Sequence, residues 1–142
     1  MKSNAAVYET VSIEDVMQAA LAAGHAAEIR DNESGRRTLQ CESADTLYAI
    51  QFYPNEGHEK NEFGALRFVA WVRNDAPSAE VANAYNAQFR FAAAFAAQDC
   101  YELQHDIIAL GVSERNLVMC IQQWGTSLED FMQFLADEDG SA

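Results

Sequence analysis

Basic residues are scarce in this sequence. Nine Lys plus Arg stand against 22 Asp plus Glu, a formal net charge of −13 over 142 residues. Such a field repels phosphate backbones and anionic lipid surfaces at long range. The densest basic cluster is the pair Arg36-Arg37, too small a patch for nucleic acid, so neither nucleic acid nor a membrane is expected as a partner. Cysteine is equally sparse. Cys41, Cys100 and Cys120 are odd in number, widely spaced and without a C-x-x-C pair. That argues against a disulfide framework or a zinc knuckle and fits a reducing compartment. Long apolar runs are missing as well: Glu9, Glu14 and Asp15 precede any such run, and Ala19–Ala27 is interrupted by Gly24 and His25. Neither a signal peptide nor a transmembrane helix is expected, and the compartment reads as cytoplasmic.

Catalytic motifs are missing too. There is no G-x-G-x-x-G, no G-x-x-x-x-G-K-[ST] and no G-x-S-x-G, which removes the usual phosphate cradles and the nucleophile elbow. His58-Glu59 begins like a zincin motif but lacks the second histidine, so a solvated loop is the better reading than a metal site. His105-Asp106 falls on a predicted strand, which sends the two side chains to opposite faces and prevents direct pairing. Asp106 could cap a neighbouring backbone, join a polar site with Arg90, or face solvent. The three thiols read as inert. No enzyme, cofactor or metal is expected.

What is present builds a core. With 49% apolar and 11% aromatic residues, a chain of this size buries roughly 70% of its unfolded surface. One domain over residues 1–142 is expected, with its ordered core at about 11–136. The first helix is predicted from Ile13 to Ala23, capped by Ser12 with Asp15 three residues on and ended by Gly24. Its core stripe would be Ile13, Val16, Met17, Ala20 and Leu21. Ala26–Asp31 and Arg37–Glu42 flank Asn32-Glu33-Ser34-Gly35 and read as a hairpin. Thr46–Tyr53 and Phe63–Val72 read as further strands of an antiparallel meander, separated by the polar loop Pro54–Glu62. A central helix is predicted from Ser78 to about Phe91. Ala92–Ala97 and Tyr101–Leu110 read as a hairpin through Gln98-Asp99. Leu117, Ile121, Trp124, Leu128, Phe131 and Leu135 then recur at steps of four and three, a helical seam that keeps its phase across Gly125. Ser113 is its predicted N-cap, and Asp137–Ala142 should fray. The fold class is α+β, a twisted antiparallel sheet with flanking helices in the order α-β-β-β-β-α-β-β-α.

The central helix holds the best candidate site. Val81, Tyr85 and Phe89 form its apolar stripe, and Asn83, Asn86 and Arg90 form a neighbouring polar one. Asparagine loses roughly half a kcal/mol to alanine in a helix interior, so two on one face imply a hydrogen-bonding task. That task is either a structural tie, satisfying loop carbonyls or an open strand edge, or the binding of a ligand. Trp124 could anchor a partner or pack inside the fold.

The run Asn83-x-Tyr85-Asn86-x-x-x-Arg90-Phe91 resembles the signature helix of the YbjN-like proteins, described as bacterial sensory transduction regulators. The resemblance continues in Leu103-x-x-Asp106, in Gly111-Val112-Ser113 and in Asn116-Leu117, and covers Val11 to Leu135 in order. Where the family often carries tryptophan, this chain has Tyr85. The resemblance implies a fold like that of type III secretion chaperones, no established catalysis, protein partners and often dimers. The expected function is therefore a non-catalytic, protein-binding regulatory or chaperone-like module, in bacterial signalling or stress response. The alternative is a small-ligand sensor whose polar pocket is lined by Asn83, Asn86, Arg90 and Asp106. A homodimer could form through the terminal seam or the central helix.

Overall fold

The computed structural model describes residues 7–31, 33, 35–54 and 61–140. After the short strand β1 (Val7–Tyr8) comes helix α1 (Ile13–Ala22), which opens on a capping box. The Asp15 amide donates to Ser12 Oγ at 3.1 Å and the Ser12 amide to Asp15 Oδ2 at 3.0 Å. Both satisfy helix-end groups that would otherwise lack partners. A third orphan, the Ile13 amide, donates to Asn61 Oδ1 at 3.1 Å. The buried stripe is Ile13, Val16, Ala19 and Ala20. It is rotated from the expected one, so Leu21 is exposed.

Strands β2 (Ala26–Asp31), β3 (Arg37–Ser43), β4 (Thr46–Pro54) and β5 (Phe63–Arg73) form the antiparallel meander that their alternating patterns predict. The turn between β2 and β3 falls partly on Asn32 and Ser34, and the candidate metal pair His58-Glu59 falls on 55–60; these lie outside the described residues. Helix α2 (Ala79–Gln88) follows, then strands β6 (Ala93–Ala96), β7 (Cys100–Ile108) and β8 (Val112–Ser113), and the long helix α3 (Glu114–Gly140). The main sheet has six strands in the order β2-β3-β4-β5-β7-β6, and β1 pairs with β8 in a second sheet of two. The simple meander ends at β5. Helix α2 crosses over, β6 lies at the outer edge, and β7 returns between β6 and β5.

Register explains how the sheet acquires two unlike faces. Leu39, Ile50, Phe68 and His105 stand opposite one another across β3, β4, β5 and β7, as do Phe52, Leu66 and Ile107. Because side chains alternate with period two, these residues share the face against which the helices pack. Helix α3 supplies the centre of the core. Its seam of Leu117, Ile121, Trp124, Leu128, Phe131 and Leu135 is buried along its whole length. The Trp124 ring meets Phe68 at 5.6 Å and Tyr48 at 5.7 Å between centroids, and Tyr85 of α2 meets Phe131 edge-on at 4.9 Å. Such offset and T-shaped pairs add roughly 0.5–1.5 kcal/mol each beyond their burial.

Helix α3 runs unbroken through Gly125 and continues to Gly140, so the fraying expected from Asp137 is not seen up to that point; Ser141 and Ala142 lie outside the described residues. Gly125 lies close against the side chains of His25 and Ser43. A Cβ there would meet His25 Nε2 at 3.0 Å, Cε1 at 3.1 Å and Ser43 Oγ at 3.4 Å.

Candidate functional site

The central helix is shorter than its sequence pattern suggests. It ends at Gln88, Phe89 is extended (φ −114°, ψ 153°), and the chain then turns sharply, with the Ala92 amide donating to the Arg90 carbonyl at 3.0 Å. Phe91, at the middle of this three-residue turn, has φ +77°, a strained conformation for a non-glycine residue. Arg90 therefore lies beyond the helix and does not extend the Asn83–Asn86 stripe. It is exposed and makes no ion pair among the described residues. Asn83 is exposed and likewise without a side-chain hydrogen bond.

Asn86 has a defined task. Its Nδ2 donates to the Ala94 carbonyl at 2.9 Å, and its Oδ1 accepts from the Ala94 amide at 2.7 Å. Ala94 is the second residue of β6, the outermost strand. The amide thus imitates the next strand of the ladder and occupies backbone groups that an edge strand otherwise offers to another chain.

Asp106 is not part of this arrangement. It stands on the helix-free face of the sheet, and its carboxylate receives Arg67 Nε at 2.7 Å and Nη2 at 3.0 Å from the neighbouring strand β5. The Arg67 hydrogen bond holds the Asp106 carboxyl below its ordinary range, and the same bond raises the guanidinium. Of the alternatives open for Asp106, a polar site with Arg90 is not formed; the carboxylate is exposed and pairs with Arg67 instead. The Arg67 guanidinium also lies 5.9 Å from the centroid of the Tyr53 ring. Both ion-pair partners are substantially exposed, which limits the pair to under about 1 kcal/mol of stability.

The same helix-free face carries exposed apolar side chains. Leu47, Trp71, Phe95 and Ile108 are all on it, with Trp71 53% and Phe95 48% exposed. Trp71 and Phe95 are both lateral neighbours of Glu102 on β7. The sequence reading singled out none of Tyr53, Arg67, Trp71, Phe95 and Glu102. The available signal was the alternation of the fifth strand, which places Arg67, Val69 and Trp71 on one face.

Trp124 is in the opposite situation. It is 1% exposed and its indole Nε1 has no hydrogen-bond partner among the described residues. It cannot anchor a partner from there. Beside it a buried polar pair forms, with His25 Nδ1 and the Tyr48 hydroxyl 2.6 Å apart. Burial pushes His25 below 6.5 and Tyr48 upward, so both stay neutral. Burial also pushes the Cys41 thiol up to about 12 and raises Cys100 and Cys120. None of the three is poised as a thiolate. Cys100 and His105, six positions apart on β7 counting both, point to opposite faces of the sheet.

A family model described as YbjN, "Putative bacterial sensory transduction regulator", matches residues 12–137. The chain belongs to this family. No curated protein matches it significantly. The YbjN match takes in α1, all six strands of the main sheet, α2 and most of α3. It covers both the Asn86–Ala94 tie and the helix-free face.

No group of three His, Cys, Asp or Glu among the described residues could hold a metal ion, and no described helix is long and apolar enough to cross a membrane. An open cleft of about 700 Å³ lies at one end of the sheet, lined by Ile13, Arg36, Arg37, Phe52, Asn61 and Phe63 among others. Arg37 there is paired with Asp31 at 3.2 Å.

Proposed function

We propose that this YbjN-family protein is a non-catalytic, cytoplasmic regulatory or chaperone-like module that acts by binding a protein partner on the helix-free face of its sheet. The observation that carries this reading is the pairing of one open face with one closed edge. Exposed Trp71, Phe95, Leu47 and Ile108 stand on the face, whereas the β6 edge is occupied by Asn86. Apolar side chains grouped on one exposed face mark interaction surfaces, and tryptophan is enriched where interfaces concentrate their energy. Strand addition at β6 would first have to displace the amide. The seam of α3 is buried inside the fold, so a homodimer could not form through it.

The test is affinity capture from bacterial lysate with the wild-type protein and with a Trp71→Ala/Phe95→Ala double variant of unchanged melting temperature. A reproducible partner that the variant loses supports the reading. Equal recovery with both baits, or no reproducible partner with either, overturns it.

One observation favours ligand sensing instead. The two adjacent arginines of a strongly acidic chain, Arg36 and Arg37, border the cleft at the end of the sheet, which suits an anionic metabolite. The pocket expected at the central helix has no such support, because Asn86 is engaged by Ala94 and Asp106 by Arg67. Citrate and inorganic phosphate should raise the melting temperature if the cleft is a sensor, and Arg37→Ala should abolish the shift.

A further inference from the structure

We infer that the row Trp71–Glu102–Phe95 is a recognition site for an arginine or lysine side chain of a basic protein segment. The inference rests on the protein-binding reading above and names the chemistry of the partner. Glu102 is the Cα partner of Trp71 on one side and of Phe95 on the other. Residues opposed in this way have Cβ atoms about 5 Å apart on the same face, so a carboxylate stands between two aromatic side chains. Both rings are about half exposed, neither has a ring contact, and Glu102 has no hydrogen bond or ion pair among the described residues. An aromatic face attracts a cation through its quadrupole, tryptophan most strongly. A carboxylate at the same point adds a charge-assisted hydrogen bond.

The fold contains a filled version of the same arrangement. Four residues further along β5 and β7 on the same face, the Arg67 cation is held between the Asp106 carboxylate and the Tyr53 ring. There the chain supplies acid, ring and cation itself. At Glu102 it supplies the acid and two rings but forms no ion pair among the described residues. Arg67 is already engaged in a bidentate pair with Asp106, and exposed Arg73, two residues along β5 from Trp71 on the same face, makes no ion pair with Glu102 among the described residues. The net charge of −13 steers a cationic segment toward the protein and an acidic one away. Arginine is the better fit of the two cations, because its planar guanidinium can stack on the Trp71 indole while forking onto the carboxylate.

The experiment is isothermal titration with an acetylated peptide of alternating arginine and alanine, at about 0.15 M salt, where diffuse attraction is screened. The wild type should bind saturably, more tightly than to the matching lysine peptide, and should not bind the matching glutamate peptide. Glu102→Gln and Trp71→Ala should each weaken binding about tenfold. Glu129→Gln, the same charge change on an exposed turn of α3, should change it by less than about twofold. Equal losses from Glu102→Gln and Glu129→Gln would show diffuse attraction and overturn the site. Absence of peptide binding by the wild type would overturn the cationic partner. If lysate capture still lost a partner on Trp71→Ala/Phe95→Ala, the protein-binding reading would stand alone.

Discussion

Replacing Asn86 with alanine separates a structural tie from a ligand site. Two part-buried hydrogen bonds to Ala94 are lost, each with a net contribution of about 0.5–1.5 kcal/mol. Alanine returns roughly half a kcal/mol of helix propensity. The balance is a loss of about 1–2 kcal/mol, or about 3–6 °C in melting temperature for a chain of this length. Guanidinium unfolding followed by circular dichroism measures the loss. Amide exchange adds a local reading, since the Ala94 amide should lose protection while the β5–β7 ladder keeps its own. Asn86→Asp should cost more than alanine, because it sets a carboxylate against the Ala94 carbonyl in place of a donor. Arg90→Ala should stay within about 0.5 kcal/mol of wild type, its side chain being exposed and unpaired among the described residues. The reasoning fails if Asn86→Ala leaves stability unchanged while Arg90→Ala lowers it.

Further perturbations probe the core that supports the open face. Gly125→Ala gains about 1 kcal/mol of helix propensity but drives a Cβ to 3.0 Å from His25 Nε2, an overpacking cost of about 1–3 kcal/mol. Thermal unfolding should show a net loss, and the same substitution made in a His25→Ala background should be stabilising relative to that background; a more stable single variant refutes the close contact. His25 has its folded-state pKa lowered by burial, so the unfolded state binds the proton more readily. Stability should fall as pH drops through 6.5 and be flat above it, and His25→Asn should remove that component from denaturation curves. The Tyr85 hydroxyl is buried without a hydrogen-bond partner among the described residues, so Tyr85→Phe should leave stability equal or raise it by up to about 1 kcal/mol. Trp124→Ala should cost about 3–5 kcal/mol. A loss below about 1 kcal/mol would contradict its place in the core.

Much of the fold was legible because local signals agreed with tertiary demands. The six-residue seam Leu117 to Leu135 could form only one buried stripe, and all six residues are buried. Ser12 with Asp15, and Ser78 before α2, cap the helices they were expected to cap. The end of α2 was not legible. Gln88 and Arg90 favour helix, but the chain must turn at Phe91 to deliver β6 to the edge beside β7. Tertiary placement overrides propensity there. The candidate site was the least legible part. Trp71, Glu102 and Phe95 belong to three neighbouring strands whose order in the sheet, β5-β7-β6, is not their order in the chain, so their adjacency exists only in the register. The partnership of Arg67 with Asp106 is hidden for the same reason, being 39 residues long in sequence.

The most direct measurement of the central claim is partner recovery on the wild-type protein against the Trp71→Ala/Phe95→Ala variant, with melting curves run on both baits. The account predicts a partner recovered by the wild type and reduced roughly tenfold or more by the variant, with unfolding transitions that coincide. Equal recovery by two equally folded baits would contradict it.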